Sequence, residues 1–359
     1  MSIIVPITEF ITYLLYAMLV GYIVLHLVPE KMKPVISMSK RFVYLILLGI
    51  ILFSLGSVFN IIFYFQNAVD FKLAAQSVFV RTEIGKAWLF SSMFAIVLCL
   101  NLYANGKKIV NVITLLLMIS TIGFAGHITS LDFWTGFIFQ SIHFLMVTIW
   151  SGILFHVAWF SKETSNYTNF LKWFTPLAVG CVIIIFVSGF VLMLKVVKLE
   201  DYTTAWLLPY GQMLLLKHIT IIPVLFFAFI NGFLIKKSLG NSTYNIRSWL
   251  KAESIVLTLV FFFTGVMSTK SSPHEIDLTI RTEGPSKWIE RIMGIDIVPT
   301  MQLNFFASTE GLMLIGMSLI FLVLVVLSFL KKINVVLPIL FALCFVITMY
   351  MGLMYSVTT

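Results

Sequence analysis

Apolar residues in this chain come in long unbroken blocks of roughly twenty or more, the length a helix needs to cross the hydrocarbon core of a bilayer. Bounded by charges and turn residues, the blocks predict about ten helices, at 6–28, 42–64, 87–104, 109–126, 135–160, 173–196, 212–235, 249–268, 303–330 and 335–357. The expected fold is all-α, a polytopic transmembrane helix bundle that makes residues 1–359 a single transmembrane domain embedded in the lipid bilayer. Composition agrees: 60% of residues are hydrophobic and 11% charged, where soluble domains carry about 25% charged residues. A water-soluble fold is excluded. Cys99, Cys181 and Cys344 each lie within an apolar block without CxxC spacing, so neither a disulfide framework nor a thiolate metal knuckle is indicated.

The formal charge of +9 points to topology rather than to nucleic acid, because basic residues accumulate in cytoplasmic loops. The first block has no basic residue before it and is followed by Lys31, Lys33, Lys40 and Arg41, so it is expected to remain as a helix with its N-terminus outside. Alternating crossings then put Lys107, Lys108, Lys162, Lys172, Lys236, Lys237, Arg247, Lys251, Lys331 and Lys332 on the same inner side. Both termini are expected outside, in the cytoplasmic membrane. Two outer segments are long enough to be structured: 65–86, as an interfacial helix, and 269–302, as a cap.

An ionisable residue within a span costs roughly 2.5–3.5 kcal/mol even on lenient scales, so each needs a partner or a purpose. His26 and His156 fall near inner helix ends, where solvated interface histidines are expected. His127 ends the fourth helix in GFAGHITS, and His274 follows the eighth in SSPHE. His143 and His218 lie within the membrane, roughly 12 Å and 9 Å from the outer starts of their helices at 1.5 Å per residue. Gln140, His143 and Trp150 share one helix face, and a polar stripe on a span normally faces other helices or a cavity. Imidazole suits copper, iron and zinc, whereas thioether favours Cu(I); Met193, Met213, Met267, Met313 and Met317 lie in outer halves of helices.

Lys217 is surrounded in sequence by Leu214, Leu215, Leu216 and Ile219. Glu310 lies at a similar expected depth, and a Lys217–Glu310 pair would offset much of the desolvation cost; snorkelling of Lys217 to the outer surface is the alternative. Glu253, near the inner end of the eighth helix, is expected to pair with Lys251, Arg247 or Lys172.

Several of these residues stand in a familiar order. GHITS, QSIHFLMVTIWSGILF, FTPLAVGCVIIIFVSGFVLML, PYGQMLLLKHITIIPVLFFAFIN and SWLKAESIVLTLVFFFTGVMS together resemble the copper resistance D family (CopD, PcoD and YcnJ-like proteins) of bacterial membrane proteins. The resemblance spans about 123–274, with extra N-terminal helices in 1–104 and C-terminal helices in 303–357. It rests on His143 with Trp150, Ser151 and Gly152, on Tyr210, Gly211 and Lys217, and on Glu253. It implies a multi-pass protein that handles copper, usually described as moving it inward. The chain departs from the family in reading STKSSPHE after the eighth helix, where relatives are proline-rich, and in carrying no fused periplasmic copper-binding domain. Delivery would then fall to a separate extracytoplasmic copper-binding protein.

The leading expectation is therefore a copper transporter whose metal ligands are His127, His143, His218, His274, Met193 and Met267, with Gln140, Trp150 and Gly152 packed nearby. The alternative is a redox protein holding b-type haem between two histidines, which needs little else from sequence. A third possibility is an assembly protein without chemistry of its own. Hydrolytic catalysis has no support, because no Ser/His/Asp, HExxH or paired-carboxylate pattern occurs.

Overall fold

The computed structural model describes residues 3–65, 70–162, 166–235 and 246–358; Lys236 and Lys237, placed on the inner side by the charge pattern, lie outside them. Of the described residues 81% are helical, and 9 of the described helices are long and apolar enough to cross a membrane. The block expected at 109–126 is the shorter helix Lys108–Phe124, 17 residues, which rises about 26 Å against a hydrocarbon core of about 30 Å. An all-α polytopic bundle follows. Two compact units divide the chain, residues 1–195 and 196–359.

The first unit contains α1 (Ile4–Leu27), α2 (Lys40–Phe65), α3 (Phe71–Arg81), α4 (Glu83–Tyr103), α5 (Lys108–Phe124), α6 (His127–Leu131), α7 (Phe133–Phe160) and α8 (Tyr167–Val196). Its core is built around α1, whose Tyr16, Leu19 and Ile23 pack with Ile46, Leu47 and Ile50 of α2, Leu98 of α4, Met118 and Ile119 of α5 and Phe144 of α7. α1 and α7 cross in close contact. A Cβ on Gly21 would collide with the Gly152 carbonyl, and one on Gly152 would collide with the Ala17 carbonyl. Two glycines facing each other let helix backbones touch, the usual way to gain packing where lipid removes the hydrophobic drive between helices. Gly152 of the Trp-Ser-Gly stretch is thus a helix-crossing residue, and Trp150 is buried two residues before it.

The segment expected as an interfacial helix at 65–86 contains α3, whose Asp70 side chain caps the Lys72 amide; Ala74 and Val78 rest on Val58 and Ile62 of α2. Asp132 caps α7 by accepting from the Thr135 amide at 3.3 Å and the Thr135 hydroxyl at 2.8 Å. It also receives Lys195 at 2.8 Å, tying the start of α7 to the end of α8. At the opposite ends of these helices the Trp173 indole donates to the Met32 carbonyl at 2.7 Å. α8 buries Tyr167, Phe170, Leu171 and Phe174 in its first turns and then Cys181, Ser188, Leu192 and Val196 along one side, while Ile183, Phe186, Val187 and Phe190 remain exposed, as lipid-facing residues should be.

The second unit contains a 3-10 turn at Thr204–Leu207, α9 (Pro209–Phe229) extended by a π-helical segment Ile230–Leu234, α10 (Ile246–Met267), α11 (Ile276–Glu283), α12 (Lys287–Met293), α13 (Thr309–Leu330) and α14 (Val336–Met354). The expected cap at 269–302 holds two short helices that, with the loop after them, insert Ile280, Ile289 and Ile297 beside Trp206 and Leu207. The helix expected from 303 begins only at Thr309. Before it, β1 (Asn304–Phe305) pairs antiparallel with β2 (Val357–Thr358), and Ser308 supplies the cap by accepting from the Gly311 amide at 2.9 Å. Backbone pairing with the chain end takes the residues that hydropathy alone assigned to the helix.

Candidate functional site

In the first unit, His143 on α7 faces Ser188 on α8, with Nδ1 at 3.1 Å from the hydroxyl. The hydroxyl hydrogen is already given to the Ile184 carbonyl at 2.6 Å, so Ser188 must accept from His143. The imidazole is thereby held with hydrogen on Nδ1 and its lone pair on Nε2, the arrangement that outer-shell hydrogen bonds impose on metal-binding histidines. Gly189 makes room for the ring, since a Cβ there would lie 3.0 Å from Cε1. Gln140, one turn before His143, lies by the GHITS turn: a Cβ on Gly126 would come 3.4 Å from its Cγ. His127 opens α6 and is exposed; partial desolvation of its ring lowers its pKa. Met193 is partly buried.

In the second unit, His218 on α9 is bonded through Nδ1 to the Tyr202 hydroxyl at 2.8 Å, with the two rings stacked at 6.1 Å. Burial pushes the Tyr202 phenol up to about 12, so it is a neutral hydroxyl at physiological pH. Tyr202 also meets Trp206 edge-on at 5.9 Å. Beneath Trp206, buried Gln212 donates to its carbonyl at 2.6 Å and accepts from the Tyr350 hydroxyl. The first turn of α9 is so anchored to the 3-10 turn and to α14, which holds His218 in register. Met267 is partly buried and His274 exposed.

The charged residues depart from expectation. Lys217 is partly buried, whereas Glu310 is exposed in the first turn of α13, and no ion pair joins them among the described residues. Glu310 sits where an N-terminal helix dipole accommodates a carboxylate in water, which removes its need for a cation. Glu253 is 2% exposed and is bonded to Asn231 at 2.7 Å in place of the expected Lys251, Arg247 or Lys172. His156 is not a solvated interface residue: it is 1% exposed, its Nδ1 bonds the Gly152 carbonyl at 2.7 Å, and its Nε2 has no partner. The glycine crossing of α1 and α7 seals it from solvent. His26 is exposed as expected.

No group of three or more His, Cys, Asp or Glu side chains stands together among the described residues. Sequence reasoning missed Ser188, Tyr202 and Asn231. Each is an ordinary polar residue whose role depends on a partner 45, 16 or 22 positions away.

Residues 168–267 match the family model described as Copper resistance protein D, CopD. The match supports a copper resistance D family membrane protein. No curated protein and no solved structure matches the chain. The copper resistance D segment covers α8, α9 and α10, and with them Ser188, Met193, Lys217, His218, Asn231, Glu253 and Met267. His127, His143, Trp150, Gly152 and His274, which the resemblance at 123–274 also included, lie outside the matched residues. The match covers less than half of the chain and suggests a copper-related function in a membrane.

Proposed function

We propose that the protein is a copper permease of the cytoplasmic membrane, with both termini outside, and that it takes Cu(I) on at its outer side and passes it inward. The observation that carries this reading is the His143–Ser188 pair: a span histidine with its lone pair held on Nε2 is a poised ligand for a soft cation. His218, held by Tyr202, is the corresponding imidazole of the copper resistance D segment. His127, exposed at the start of α6, and His274, exposed in the turn before α11, would receive the ion from a separate extracytoplasmic copper-binding protein, and Met193 and Met267 would add thioether. Scattered soft donors suit an ion that must be released again, whereas a closed cage would retain it. Copper is here the cargo.

The test is Cu(I) uptake into vesicles containing the purified full chain, with metal content and visible spectrum recorded on the same sample. His143→Ala and His218→Ala should each reduce uptake roughly ten-fold or more. Unchanged uptake in both variants overturns the reading. A Soret band lost with either histidine overturns it in favour of the haem alternative.

A further inference from the structure

Glu253 is 2% exposed on α10, seven residues from the Ile246 end of that helix. Its carboxyl accepts one hydrogen bond, from Asn231 Nδ2 at 2.7 Å, and no ion pair reaches it among the described residues. Asn231 is 4% exposed and shares the same Nδ2 with the Trp249 carbonyl at 3.2 Å, while its Oδ1 has no partner. It stands in the π-helical segment Ile230–Leu234. π-bulges inside α-helices are frequent at functional positions, and carboxyls inside spans mark ion or proton paths. A purely structural role is a poor account of the pair. An ionised Glu253 lacks a cation, and the amide oxygen beside it lacks a donor.

A single hydrogen ion would remedy both defects. We propose that Glu253 and Asn231 form a proton-binding site within the bilayer. A proton from the aqueous phase at the Ile246 end joins a Glu253 carboxylate oxygen, making an O–H bond and cancelling the charge; the Asn231 amide then turns over, so that Oδ1 accepts that hydrogen. Release returns the proton to water and restores the Nδ2 donation to the carboxylate and to Trp249. The amide is a two-position rotor whose setting follows the charge of Glu253.

The surroundings leave Glu253 as the titrating group. The π-segment carries no ionisable residue. Those of α9 are Tyr210, Lys217 and His218, the last two about 20 Å along the helix from Asn231 at 1.5 Å per residue. On α14, which packs on α10, they are Cys344 and Tyr350. Phe329 of α13 touches Trp249 at 5.2 Å, with Lys331 and Lys332 just beyond it and Glu310 at the far end of that helix. On α10 itself they are Arg247 and Lys251.

The inference stands apart from the copper reading, because it can be tested on metal-free protein. Infrared difference spectra of the reconstituted full chain, recorded across pH, should contain a protonated-carboxyl carbonyl band that is absent in Glu253→Gln. The band should persist in Glu253→Asp, which shows that the fold tolerates the position, and Asn231→Ala should displace its midpoint by about one pH unit or more. Identical spectra for wild type and Glu253→Gln overturn the proposal. So does a wild-type band that responds to sodium concentration at constant pH, which would mark a metal-cation site.

Discussion

The Ser188 hydroxyl gives its one hydrogen to the Ile184 carbonyl and receives the Nδ1 hydrogen of His143, so a serine on one helix sets the tautomer of a histidine on another. Replacing Ser188 with Ala should leave the fold intact and free the imidazole to exchange tautomers. Copper uptake should fall by roughly ten- to hundred-fold, the usual cost of losing an outer-shell partner. Comparing uptake by Ser188→Ala and Ser188→Thr checks this, with threonine expected to retain activity.

The Gly21–Gly152 crossing leaves no space for a side chain on either residue. Gly152→Ala should destabilise the protein by about 1–3 kcal/mol, the range for overpacking a tight contact. Thermal unfolding in detergent would measure it. His156, sealed behind the crossing, should become reactive to an imidazole-modifying reagent in the variant.

Glu310 is exposed and unpaired with Lys217. Glu310→Gln should therefore change stability by no more than about 0.5 kcal/mol, as surface substitutions usually do. A large loss, restored by also replacing Lys217, would show that the two charges meet in the bilayer.

The hydrogen bonds from Lys195 and Thr135 hold the Asp132 carboxyl down, at about 2. Because its folded value lies below the unfolded one of about 3.9, its contribution is complete above pH of about 4 and disappears as pH falls through about 2. Asp132→Asn should be less stable than wild type at neutral pH, and the difference should close between those two values. Chemical denaturation at a series of pH values measures the gap.

Much of the architecture was legible because lipid offers the backbone no hydrogen bonds, so a long apolar block has little choice but helix. The cap at 269–302 was foreshadowed by the length of that outer segment, since a stretch so long between two spans must lie over something. The start of α13 was not, because Asn304 and Phe305 are drawn into backbone pairing with Val357 and Thr358 from the far end of the chain, and hydropathy is blind to pairing. His143 and His218 stood out as ionisable residues in spans, but their partners did not, because serine and tyrosine are unremarkable until something faces them.

Sequence by itself determined the helices, the membrane setting and the positions where polarity is costly, all of which depend on local composition against a uniform solvent. Tertiary structure alone decided that Glu253 meets Asn231 rather than a lysine, that Gly152 meets Gly21, and which nitrogen of His143 carries its hydrogen. Those outcomes depend on the rotation and register of one helix against another. Contacts of a few ångströms set them, and no run of residues along a single helix encodes both sides.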